Sequence, residues 1–535
     1  MPNTGKPSKD CHLCRSRRVK CDLAKPACQR CIKYGAECPG YRNEQELVFR
    51  NANPANIKKR KKRSQKGSTK GSDTSSSTQS TPSPSEVDYT TPSDFLHDPE
   101  WANALTAGSS HIVPISRGDV PFLPQSLNQH WTTHSIPILL NVYSTLEFLH
   151  DIYRENDNDG PLVWAAHLFS RTYVTNLKHS TAMHKDSGLE AEQEIGKYLG
   201  KTLSAVHFAL KSPEGALRDD VLATVWILAN YELLMGSINR MEPLSPWHLH
   251  TRGLYSILKE RGTKWLIKDG GRAGFWPAYN MVQVQCLLTN IECPPESDEW
   301  LGIIRDNSHP MESVALHVSV FITKVAHVQA RIQTILSNAD YATASTEYHD
   351  LVGCMSTAED DLKKFFESGS FLSHDLDPYM LNMYYSTRVK GYHLLMIFVT
   401  FLTHHIAAPV PLLVLQALRT HCIEIVHSSA QKIVDGLPQT LDPTAFRRNP
   451  APKTLFDALK LIWPLTAVYV FSSTLESQKE VARKALAIIG RELGVRQALK
   501  VYKFEDRFPP ECRRPVDLVE DGLACKPFSV PRPGL

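Results

Sequence analysis

Apolar residues in the long C-terminal part of the chain recur at helical spacing. Ile195, Leu199, Leu203, Val206 and Leu210 fall on one face of a helix, and Ser212-Pro213 marks its stop and a new start. From Leu217 to Met235 the run is apolar nearly all round, with Val221-Leu222, Val225-Trp226-Ile227-Leu228 and Leu233-Leu234. A helix without a polar face is buried on every side, so this one is predicted to be central. Ser313 to Leu336 and Glu480 to Tyr502 carry the same period. The longest charge-free window, Gly391 to Leu418, holds His393, His404, His405, Pro409 and Pro411. Its unbroken apolar part, Leu394 to Thr403, is too short to span a bilayer. It reads as a buried helix, a Pro-bearing turn and a second helix, with no membrane association. Alternating Val, Ile and Thr strands separated by hairpin turns are missing at any length. The expectation is a mostly α protein whose large all-α domain covers residues 106–505, followed by a tail at 506–535.

Residues 42–105 have a different texture. Ser64 to Ser93 contains 16 Ser or Thr in 30 residues, with Pro82, Pro84 and Pro92, and cannot bury enough apolar surface to order itself. A disordered, phosphorylatable linker is expected. Glu86 to Leu105 mixes Asp88, Asp94, Asp98 and Glu100 with Tyr89, Phe95, Leu96 and Trp101. That composition suits a short activation segment and an anchoring strap on the next domain equally well. Ahead of both lies an unbroken cationic run, Lys58, Lys59, Arg60, Lys61, Lys62 and Arg63, of the kind that serves nuclear import or attracts phosphates. Residues 1–70 hold 19 Lys or Arg against 5 Asp or Glu, a balance of +14. The totals of 60 and 56 leave 41 against 51 for the rest, or −10. The modest overall charge of +4 therefore hides a basic head on an acidic body, and any nucleic-acid surface belongs to the head.

That head also concentrates the thiols. Six of the twelve cysteines occupy residues 11–38 as C-x2-C-x6-C-x6-C-x2-C-x6-C: Cys11, Cys14, Cys21, Cys28, Cys31 and Cys38. Shifting the first three by 17 positions lands on the last three, an internal duplication. No apolar leader of signal-peptide kind follows Met1, so a secreted disulfide framework is not expected, and close thiols in a reducing compartment bind metal. Three thiolates per half leave each tetrahedral zinc one ligand short, and six ligands complete two sites only if two sulfurs bridge both metals. His12, inside a C-x2-C bracket, is expected to face solvent. The spacing resembles the fungal binuclear zinc-cluster (six-cysteine) DNA-binding domain, matched completely over residues 11–38. The resemblance implies a domain over about residues 9–41 that holds two zinc ions, bridged by Cys11 and Cys28.

The two halves differ in charge. Arg15, Arg17, Arg18 and Lys20 put four cations between Cys14 and Cys21, whereas Ile32-Lys33-Tyr34-Gly35-Ala36-Glu37 is net neutral. Six thiolates and two zinc ions sum to about minus two, and the asymmetry exceeds what offsets that charge. One half is thus expected to face double-stranded DNA and the other to support it. The resemblance maps major-groove contacts onto Arg17 and Arg18. Most relatives carry Lys at the position of Arg18, where it reads a CGG triplet; arginine grips the O6/N7 edge of guanine with two donors, so a G-rich triplet is retained. Arg15 and Lys20 are cast as phosphate contacts that fix register. Lys25-Pro26 joins the halves through a rigid loop. Many relatives follow the cluster with a coiled coil, but this chain offers one heptad at most before Pro54. A homodimer would then form through the helical body.

A second resemblance is diffuse. Tyr231-Glu232, Trp247-x2-His250-x2-Gly253, Leu258 and Arg261-Gly262 look like the core of a regulatory domain found in fungal zinc-cluster factors, over about residues 120–505. Trp247, His250 and Arg261 would either line an effector pocket or cap and pack neighbouring helices. His248 and His250 form H-x-H without an acidic or cysteine partner at useful spacing. Cys286, Cys293, Cys354, Cys422, Cys512 and Cys525 are scattered, as buried free thiols are. No nucleophile elbow, dinucleotide fingerprint, P-loop or H-E-x-x-H occurs, so catalysis is not expected. The sequence points to a nuclear transcription regulator of RNA polymerase II genes that binds DNA, two zinc ions and the transcription machinery. A zinc-dependent protein-interaction scaffold and a helical enzyme with a DNA-tethering head stay open as alternatives.

Overall fold

The computed structural model describes most of residues 11–39 and 131–512. Positions 12, 15, 16, 18, 25 and 26 and breaks at 156–159, 179–187, 239–244, 268, 308, 370–376, 406, 442–452 and 501–507 lie outside the described residues. So do the basic run at 58–63, the Ser-rich stretch and the acidic-aromatic segment before residue 106. The chain divides into two compact units, Met1–Pro84 and Ser85–Leu535.

The first unit has sulfur for a core: Cys11, Cys14, Cys21, Cys28 and Cys31 are buried, with Leu13 and Cys38 packed against them. Its one regular helix among the described residues is α1 (Gln29–Lys33), and a helical turn occurs at Leu13-Cys14. A unit this small buries too little hydrocarbon to hold itself folded.

Every regular element of the second unit among the described residues is helical. In chain order its longer helices are α2 (Ser135–Val142), α3 (Glu147–Glu155), α4 (Pro161–Lys178), α5 (Gly188–Ala209), α6 (Asp219–Met235) and α7 (Pro246–Arg261). They are followed by α8 (Asp269–Thr289), α9 (Ser297–Asp306), α10 (Ser313–Asn338), α11 (Tyr341–Glu367) and α12 (Pro378–Leu402). The set closes with α13 (Leu412–Asp435), α14 (Lys453–Val470) and α15 (Glu476–Arg491). None of the described helices is long and apolar enough to cross a membrane.

Two helices organise the packing. In α6 every residue from Asp220 to Leu234 is buried, as its all-round apolar sequence predicts. Asp219 and Asp220 in the first turn complement the helix dipole, and Gly236 ends the helix at φ 66. α4, α5 and α7 flank it. In α12 Asp377 accepts a hydrogen bond from the Tyr379 amide at 2.9 Å, Pro378 opens the first turn, and Val389 to Leu402 are buried throughout. It packs on α10, α13 and α14. The window from Gly391 onward is therefore a buried helix, a turn and a second helix. The first of these starts well before the window, because Arg388 and Lys390 are inside it; Lys390 is fully buried, with its ammonium 5.8 Å from the Trp463 ring.

The period over 480–502 does not give one helix. α15 stops at Arg491, Gly494 takes φ 71, and a 3-10 turn follows at Arg496–Leu499. A Cβ at Gly494 would lie 2.8 Å from that of Asn176, whose amide donates to the Leu234 and Gly494 carbonyls, each at 2.8 Å. Tertiary contact with α4 and α6 thus overrides the periodicity. The core continues to Phe508 and Cys512, both buried.

Candidate metal centre and nucleic-acid interface

The duplicated C-x2-C pairs build the same clasp twice. In each, the amide of the second cysteine donates to the sulfur of the first: Cys14 to Cys11 Sγ at 3.4 Å, and Cys31 to Cys28 Sγ at 3.3 Å. Cys28 is also the N-cap of α1, so that helix starts at the sulfur. Asp22 of the first half accepts from the Gln29 amide at 3.0 Å and fixes the start of α1 from across the duplication.

These clasps bring the sulfurs into contact. Cys11 and Cys28 are 3.6 Å apart, Cys11 and Cys31 3.6 Å, Cys14 and Cys28 3.7 Å, and Cys14 and Cys31 4.0 Å. The sulfurs of Cys11, Cys14, Cys21 and Cys28 lie within 4.8 Å of one another, as do those of Cys11, Cys28, Cys31 and Cys38. Cys11 and Cys28 belong to both groups. Residues 9–46 match the model of the fungal Zn(2)-Cys(6) binuclear cluster domain.

This segment is a binuclear zinc-cluster domain. Its donor set fits two zinc ions: a tetrahedral zinc with Zn–S bonds of about 2.3 Å needs sulfurs roughly 3.8 Å apart. The observed contacts bracket that value, and no described cysteine is in a disulfide. Thiols packed this way resist ionisation on their own. Burial pushes the Cys14 thiol up to about 12, reinforced by Cys11 and Cys28, and burial raises Cys28 and Cys31 as well. A bound cation reverses this, since coordination removes the thiol proton.

Over 136 residues the chain is 30% identical to a transcriptional regulator of Pestalotiopsis microspora. That alignment covers 25% of this chain and 27% of the relative, so the chain spans about a quarter of the length of the curated relative it matches. No solved structure matches the chain.

Of the expected DNA-contacting residues, Arg17 and Lys20 are exposed, while Arg15 and Arg18 lie outside the described residues, as do His12, Lys25 and Pro26. The Arg17 guanidinium carbon sits 3.2 Å from the centroid of the Tyr34 ring. A cation held over an aromatic face is attracted by the ring quadrupole. Tyr34 of the neutral half therefore holds a cation of the basic half, a role its position in the sequence does not advertise. Asp22 was equally illegible as a cap, because its partner at Gln29 belongs to the other half of the duplication.

The residues of the second resemblance part company. Arg261 donates to the carbonyls of Ala216 at 3.1 Å and Leu217 at 3.0 Å and to Asp219 at 2.7 Å, tying the end of α7 to the start of α6. His250 Nε2 is 3.5 Å from Glu232 Oε1. Gly253 faces α6, where Val225 Cγ1 lies 3.5 Å, an ordinary packing distance, from a Cβ placed there. Trp247 alone of the three lines a large cavity. His248 is buried against Ser245 and its imidazole is held below the ordinary range by that burial. Cys286, Cys422 and Cys512 are buried and in no disulfide, Cys293 and Cys354 are half-buried, and Cys525 lies outside the described residues.

Proposed function

We propose that this protein is a nuclear, sequence-specific transcription regulator of RNA polymerase II genes with no catalysis of its own. In this reading the six cysteines ligate two zinc ions, and the cluster presents the basic half to the major groove of a CGG-type site. Arg17 and Arg18 would read base edges and Arg15 and Lys20 would grip phosphates. Lys58 to Arg63 would serve nuclear import and add sequence-independent affinity. A homodimer through the helical unit, and contacts with the transcription machinery, would complete the regulator.

The observation that carries this is the pair of four-sulfur groups sharing Cys11 and Cys28, together with the four cations between Cys14 and Cys21 against one, Lys33, between Cys31 and Cys38. A cluster that only holds a fold together has no use for that asymmetry. The test is a gel shift of the zinc-loaded full-length protein on CGG-containing and scrambled duplexes, with and without chelator, alongside genome-wide binding matched to expression changes. Tighter binding to CGG duplexes that disappears on chelation supports the proposal. Equal affinity for both duplexes would sink the sequence-specific reading.

A further inference from the structure

Arg17 and Tyr34 are the same position of the cysteine repeat, 17 residues apart. The backbone around them is duplicated as well. The Arg17 amide donates to the Leu13 carbonyl at 3.1 Å, and the Tyr34 amide to that of Arg30 at 3.2 Å. The Val19 amide donates to the Cys14 carbonyl at 3.0 Å, and the Ala36 amide to that of Cys31 at 3.2 Å. Each of the two residues therefore ends the helical turn that begins at a C-x2-C clasp. In the second half Gly35 takes φ 74 and its amide donates to the Ile32 carbonyl at 3.0 Å. Together with the Ala36 bond this is a Schellman cap, and it fixes Tyr34 as the C-cap of α1.

The repeat makes the two positions equivalent; the fold turns them toward each other, with a cation on one and a ring on the other. Two cations facing this way would repel. The 3.2 Å between the guanidinium carbon and the ring centroid also fixes how the group lies. Its C–N bonds are about 1.3 Å long, so an upright guanidinium would bring a nitrogen to about 2.5 Å or less from the ring plane, inside contact distance. It therefore lies flat on Tyr34, and in that arrangement its N–H bonds point outward in its own plane. The ring holds the face of the group and leaves the fork open for the O6/N7 edge of a guanine. Tyr34 is 58% exposed and Arg17 is exposed, so the stack stands on the surface of the cluster.

We propose that Tyr34 is a positioning residue for DNA reading, whose ring orders the Arg17 fork before it meets a base. This rests on the reading of Arg17 as a base contact. A side chain ordered in advance loses less freedom on binding, and the gain goes to sites where the fork engages a base edge. Random DNA offers Arg17 no matching edge, so the ring adds little there.

The test is fluorescence anisotropy of the zinc-loaded full-length protein on labelled CGG and scrambled duplexes, with zinc content recorded for every variant. Tyr34→Leu should weaken CGG binding about fivefold, the size of an exposed cation–π contact, with little change on scrambled DNA and an unaltered salt slope. Tyr34→Phe keeps the ring and should bind as the unaltered protein does. In the Arg17→Ala background Tyr34→Leu should cost nothing further, because the ring then has no cation to hold. The same loss with and without Arg17, or equal losses on the two duplexes, would overturn the positioning role. Tighter CGG binding by Tyr34→Leu would overturn it too, since the stack would then withhold Arg17 from DNA. An Arg17→Ala loss confined to CGG sustains the base-contact reading whatever Tyr34 does. An Arg17→Ala loss shared by both duplexes overturns that reading and the positioning role with it.

Discussion

Cys11 and Cys28 each belong to two sulfur groups, whereas Cys14, Cys21, Cys31 and Cys38 belong to one. Elemental analysis of the full-length protein should therefore find two zinc ions, none in Cys28→Ser, and one retained in Cys38→Ser, whose sulfur serves a single group. Retention of one zinc by Cys28→Ser would remove that cysteine from the bridge. On the proposed reading, the basic half separates into readers and holders. Arg18→Ala should cost about 1–3 kcal/mol on a CGG site and much less on random DNA. Lys20→Ala should weaken both alike and make the salt slope shallower by about one. Matching losses for the two variants on both DNAs would make Arg18 another phosphate contact. His393 makes a different residue-scale prediction. Burial, helped by Lys390 and Lys479, holds its imidazole down to about 3, and its Nδ1 lies 2.7 Å from Ser473 Oγ. The unfolded chain takes up a proton near pH 6.5 that the native helix refuses, so this stability is fully present above pH 6.5 and declines as pH falls toward about 3. In His393→Gln the melting temperature should fall less steeply than in the unaltered protein between pH 6.5 and about 4, because glutamine at this position takes up no proton in either state.

Helices α10 and α12 meet at Gly391, where an added Cβ would lie 2.7 Å from Val325 Cγ1 and 3.3 Å from Met355 Cε. Overpacking a buried seam costs about 1–3 kcal/mol, so denaturant unfolding of Gly391→Ala should show a loss of that order, although alanine is the better helix former. Gly253 between α6 and α7 is the contrast, since its nearest contact at 3.5 Å is ordinary packing. Gly253→Ala should be neutral or gain up to about 1 kcal/mol. The two glycines look alike in sequence, each being a small residue in the interior of a helix. Only the neighbouring helix distinguishes them, just as only Asn176 explains why α15 stops before Gly494 while the apolar period runs on.

Each compact unit carries its own core, one of sulfur and one of hydrocarbon. Chelating zinc should abolish DNA binding and unfold the first core while the cooperative melting of the helical unit stays unchanged, as followed by circular dichroism. A shift of the main transition by several degrees would mean that the units stabilise one another. The same division bears on stoichiometry. A triplet site recurs throughout a genome, so specificity has to be supplemented, and residues 42–56 hold too few heptads for a coiled coil. Association through the helical unit would tether two readers through the long segment that follows the cluster, raising effective concentration while tolerating many half-site spacings. Analytical ultracentrifugation and gel shifts across a spacing series should show tighter binding to paired CGG sites with little preference among spacings. A sharp optimum, already present in residues 1–70, would place a dimer element next to the cluster.

The sequence by itself determined what depends on spacing and composition. The cysteine interval fixes a two-metal cluster because ligand count and tetrahedral geometry leave few other solutions, and the all-round apolar runs fix α6 and α12 because such helices have no face for water. Tertiary structure decided whatever depends on residues distant in the chain. Arg261 caps a neighbouring helix because the start of α6 lies against the end of α7. Tyr34 reaches Arg17 because the two halves of the duplication fold against each other. Trp247, Asn280 and Trp463 share one cavity although they lie on α7, α8 and α14. Local periodicity records which face of a helix avoids water; it does not record which other helix covers that face, or what space the two leave between them.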